Sequence, residues 1–157
     1  MRKIICYPHS SVPAHFDSSI DYFELFSHPD ISSMNIRALG LPQPYELKKF
    51  GIVPPITTVD FAAFAFSVVA SDKLVSRADS PDGWTRMIDL TIYLSEPEKW
   101  MPIKTKIEKM LRFLTGDFWT LTFLLAEAPA IQPAYEPLQR ENDCVCLLSG
   151  GVDSLVG

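Results

Sequence analysis

At 157 residues, with 47% hydrophobic and 21% charged residues, the chain is long enough to bury one sizeable core and lacks the composition of a disordered segment. A net charge of −5 argues against a nucleic-acid-binding surface. The longest apolar stretch, 61–70, is far short of the roughly 20 residues a membrane span needs. Cys6, Cys144 and Cys146 form no disulfide framework and no secretory signal follows Arg2 and Lys3, so a cytoplasmic protein is expected.

Met1–Tyr7 reads as a short strand, apolar at Ile4, Ile5 and Cys6. The stretch 8–55 is broken by Pro8, Pro13, Pro29, Pro42, Pro44, Pro54 and Pro55 and reads as irregular. Within it, Phe16, Ile20, Tyr22, Phe23, Leu25 and Phe26 are expected to reach a core through a short helix. Thr57-Thr58-Val59-Asp60 has the form of a capped helix start, a hydroxyl with an acid following. Phe61, Ala62, Phe64, Ala65, Phe66, Val68 and Val69 leave that helix almost no polar face, which predicts burial on most sides up to about Leu74.

Residues 76–83 form a loop by composition. Ile88, Leu90, Ile92 and Leu94 then alternate with Met87, Asp89, Thr91 and Tyr93, as in a half-buried strand. Pro102 suits the first turn of another helix. Its apolar stripe is Ile103, Ile107, Met110, Leu111 and Leu114, and Gly116 is the expected stop. Lys104, Lys106, Lys109 and Arg112 lie off that stripe, and Glu108 precedes Arg112 by four residues. In 118–126, Trp119, Leu121, Phe123 and Leu125 alternate with Thr120 and Thr122, a second half-buried strand. The fold class is therefore α/β, with 1–127 as one domain. A Pro-spaced polar linker follows over 128–143, and a new domain begins at 144–157.

Cys144-Val145-Cys146-Leu147-Leu148 is a short apolar run of the kind found in a parallel strand covered on both faces. Directly behind it stands Ser149-Gly150-Gly151-Val152-Asp153-Ser154. A strand-to-helix turn grips phosphate through converging backbone N–H groups and the helix dipole. Gly150 and Gly151 let the backbone approach closely, Ser149 and Ser154 add hydroxyl donors, and Asp153 suits a helix cap or a bound Mg²⁺. No Walker loop is present, and a grip without lysine suits β and γ phosphates held together as a leaving group.

Ser149–Ser154 resembles the signature of the ATP pyrophosphatases, the PP-loop enzymes, which transfer AMP onto a carbonyl oxygen before a nitrogen or sulfur nucleophile displaces it. The resemblance implies that Ser149, Gly150, Gly151, Val152, Asp153 and Ser154 hold ATP phosphates, with Mg²⁺, in a doubly wound, Rossmann-like domain of the adenine nucleotide alpha hydrolase type. Upstream, Ser71-Asp-Lys-Leu-Val75, Asp82-Gly-Trp-Thr-Arg86 and Phe113-Leu-Thr-Gly-Asp117 with Trp119 resemble QueC-like (7-cyano-7-deazaguanine synthase-like) proteins of the QatC anti-phage defence type. That likeness covers about 57–157. It implies an ATP-dependent ligase that adenylates a carboxylate, such as a 7-deazaguanine acid, and passes it to an amine or ammonia. A protein partner from a defence operon is implied as well. The family's adenine-binding segments and zinc-binding cysteines would lie beyond Gly157, so the second domain is expected to be truncated here and the chain catalytically incomplete, with no catalytic residue or metal ligand assigned within it.

Other readings stay open at this level: an interaction module with a vestigial PP-loop, or another PP-loop enzyme such as an amidotransferase or tRNA-thiolating enzyme. Cys144 and Cys146 fit core packing better than metal binding. His9, His15 and His28 have no ligand spacing, and Asp79, Asp82, Asp89 and Asp117 form no recognisable carboxylate pair. Trp84, Trp100 and Trp119 read as core or interface anchors, and the Lys104–Arg112 cations as a solvated face.

Overall fold

The computed structural model describes residues 1–8, 11–26, 37–39 and 53–126. In chain order the elements are β1 (Arg2–Pro8), β2 (Ile20–Leu25), β3 (Arg37–Leu39), α1 (Ile56–Leu74), β4 (Met87–Leu94), α2 (Pro97–Trp100), α3 (Lys104–Thr115) and β5 (Phe118–Leu125). The strands form one sheet in the order β3-β2-β1-β4-β5, and every pairing is parallel. The chain is thus α/β. Among the described residues, no helix is long and apolar enough to cross a membrane.

Register explains where the core sits. Ile4 opposes Leu90, Cys6 opposes Ile92, and Leu90 opposes Leu121, which puts these side chains and Trp119 and Phe123 on one face. The core that takes in α1 and α3 draws on that face alone. The other face carries Lys3, Thr91, Thr120 and Thr122, with Tyr7, buried, at the level of Glu24, and Tyr22 packed edge-on against Phe16 of the β1–β2 loop at 4.8 Å.

Several expectations are corrected. Ile20–Leu25 is a strand rather than part of a short helix, because parallel pairing with β1 satisfies its backbone while Phe23 and Leu25 enter the core. The Thr57–Asp60 cap does not form; α1 starts at Ile56 behind Pro55, without a side-chain cap. Asp60 instead turns inward. Nor is α1 buried on most sides: Phe61 and Val69 are exposed, and its inner face is Val59, Asp60, Ala63, Phe64, Ser67, Ala70 and Ser71. Small residues let the helix lie close to the sheet, and the Ser67 and Ser71 hydroxyls donate to the Ala63 and Ser67 carbonyls at 2.7 Å, so neither is left unpaired.

Pro102 belongs to a 3₁₀ turn, Met101–Ile103, that leads into α3 rather than to α3 itself. On α3 only Ile107 and Leu111 are buried; Ile103, Met110 and Leu114 of the expected stripe are exposed. Glu108 does not serve Arg112. It accepts the Leu121 N–H at 2.9 Å and lies 3.9 Å from Lys104, blunting the outer edge of β5. Gly116 ends α3 as expected, at φ 76° with its N–H on the Arg112 carbonyl. Leu125 is exposed, unlike Trp119, Leu121 and Phe123, because it pairs with Leu94 at the last rung of the sheet.

Candidate functional site

The predicted phosphate loop, Ser149, Gly150, Gly151, Val152, Asp153 and Ser154, lies outside the described residues, as do Cys144–Leu148 and the 128–143 linker. His9 and His28 lie outside them too, and His15 is exposed. The three upstream segments, by contrast, converge. Ser71–Val75 closes α1, Asp82–Arg86 enters β4, and Phe113–Asp117 joins α3 to β5, all at the amino-terminal edge of the sheet.

Arg86 ties them together. Its Nε donates to Asp117 Oδ2 at 3.1 Å, and its Nη2 donates to the same oxygen at 2.6 Å and to Asp72 Oδ1. Its Nη1 donates to the Asp72 and Val75 carbonyls at 2.7 and 2.9 Å, two acceptors that the end of α1 leaves open. Five N–H donors have five bonds. Arg77 adds a second clamp on Asp117, at 3.0 and 3.3 Å, and also reaches the Trp84 and Thr115 carbonyls at 2.6 and 2.9 Å. Its guanidinium lies 5.0 Å from the Trp84 ring centre.

Asp117 therefore sits fully buried between two guanidinium groups, with the Arg86 N–H on its Oδ1 at 2.9 Å. Burial pushes its carboxyl up, but the hydrogen bonds and charge of Arg86, with the charge of Arg77, outweigh that and hold it below the usual carboxylate range. Arg86 has no donor left for a substrate. A cavity of about 250 Å³ adjoins the network, lined in part by Met1, Arg2, Asp79, Thr85 and Arg86. Arg2 is itself bound to Asp21 at 2.6 Å, so both arginines lining that cavity are already engaged. The convergent segments anchor elements to one another.

Ligands of open parallel sheets collect at the opposite end, outside the carboxyl ends of the strands where the order reverses. Here that point lies between β1 and β4. Asp60 builds part of this edge: its two oxygens accept the Ser95 and Glu96 N–H groups at 2.8 and 2.9 Å, fixing the turn that leaves β4. Near the end of β1, Tyr7 is fully buried and its hydroxyl has no partner among the described residues. Burial first, then the charges of Glu24 and Tyr22, push the phenol up to about 12, so it stays protonated. Burial likewise pushes the Cys6 thiol up to about 12, against a smaller opposing pull from Ser67, which makes it an inert core thiol.

Replacing Asp60 by Ala is expected to cost about 1–3 kcal/mol, since two N–H groups at the β4 exit lose their acceptor. A fall in the urea midpoint without a change in slope would show it. The sequence does hold a signal for Asp60, the one charged residue between Val59 and Ser71, a stretch otherwise made of Phe, Ala, Ser and Val. Nothing comparable marks Tyr7. Among the described residues, no group of three or more His, Cys, Asp or Glu side chains is placed to hold a metal ion.

Comparison with known proteins returned no matching family model, no matching curated protein and no matching solved structure.

Proposed function

We propose that the chain supplies the upstream domain and the PP-loop of a QueC-like, ATP-dependent ligase. In this reading the enzyme adenylates a carboxylate, such as a 7-deazaguanine acid, releases pyrophosphate and passes the acyl group to an amine or ammonia. The observation that carries the reading is the Ser149–Ser154 sequence directly behind the apolar run Cys144–Leu148. Backbone N–H groups of Gly150 and Gly151, with the Ser149 and Ser154 hydroxyls, would hold the β and γ phosphates as a unit, and Asp153 would cap the following helix or meet Mg²⁺. ATP binds, its α-phosphorus is attacked by the carboxylate oxygen, and pyrophosphate leaves. The nitrogen nucleophile then attacks the acyl carbon of the adenylate, the amide bond forms and AMP leaves. The 1–127 domain would position substrate or a protein partner, in keeping with a role in phage defence.

The test uses the full-length protein with ATP, Mg²⁺, a 7-deazaguanine carboxylic acid and ammonia. AMP and pyrophosphate should appear in equal amounts. Ser154→Ala should lower their rate by about 10²-fold, the scale of losing one preorganised donor to a developing phosphate charge. Release of ADP and inorganic phosphate instead, or an unchanged rate in Ser154→Ala, would refute this chemistry.

A further inference from the structure

We draw no further inference here: the strongest candidate, the exposed apolar face of α3 at Met110, Phe113 and Leu114, carries none because nothing in the structure shows what covers it.

Discussion

Asp117→Ala is expected to destabilise the protein by about 3–5 kcal/mol, because it leaves Arg86 buried with half of its charge compensation gone. The carboxylate accepts from Arg86 Nε and Nη2, from Arg77 and from the Arg86 N–H, so one truncation strips acceptors from two guanidinium groups and from the start of β4. Urea denaturation should show a large drop in midpoint. The double variant Arg86→Ala/Asp117→Ala should lose less than the sum of the single losses, since neither charge is then stranded against the other. Additive losses would mean the pair is not coupled.

The same group sets an acid limit. The folded-state carboxyl of Asp117 titrates below its unfolded value near 3.9, so its contribution is fully present above that pH and is lost as pH falls through the folded value. Stability of the parent protein should therefore decline below about pH 4. Asp117→Asn should flatten part of that decline. The remaining slope belongs to carboxylates such as Asp82, held down to about 2 by the Thr85 hydroxyl and the Trp84 and Thr85 N–H groups.

Trp119→Ala should cost a similar amount, about 3–5 kcal/mol, for a different reason. The indole is buried between β5 and α3, and truncation opens a cavity that a sheet pinned by parallel pairing cannot collapse. Its Nε1–H also donates to Thr115 Oγ1 at 3.0 Å. That hydroxyl accepts the Asp117 N–H at 3.2 Å and donates to the Leu111 carbonyl at 2.8 Å, so it ties the end of α3 to β5. Trp119→Phe keeps most of the volume and should lose only about 1 kcal/mol, the worth of one hydrogen bond. Equal losses in the two variants would show that the hydrogen bond, not the packing, dominates.

Sequence alone located β1, β4, β5 and both long helices, because apolar alternation and helical spacing are local properties. It missed β3, inside the stretch read as irregular, and β2, since six residues carrying Tyr22, Phe23 and Leu25 suit a helix or a strand equally well, and the pairing with β1 that decides between them is not local. Burial was overestimated on α1 and α3 for a related reason. Apolar residues were counted, but a helix lying on one face of a sheet buries only one side, and on α1 that side is made largely of alanine and serine.

The candidate site divides in the same way. The proposed phosphate-binding segment Ser149–Ser154 could be singled out because the chemistry expected of it resides in consecutive residues, glycines for backbone approach and serines for donors. The Arg86–Asp117 anchor joins residues 31 apart, and Asp60 reaches Ser95 across 35. What the sequence determined by itself was the α/β alternation and the composition of the loop, both readable within a few residues. Only the tertiary structure decided that the three segments upstream of that loop meet as one ion-paired anchor, since a buried charge persists only where folding brings its counter-charge to it. It also decided which half of α3 remains in water, since the sheet has room for one side of the helix alone.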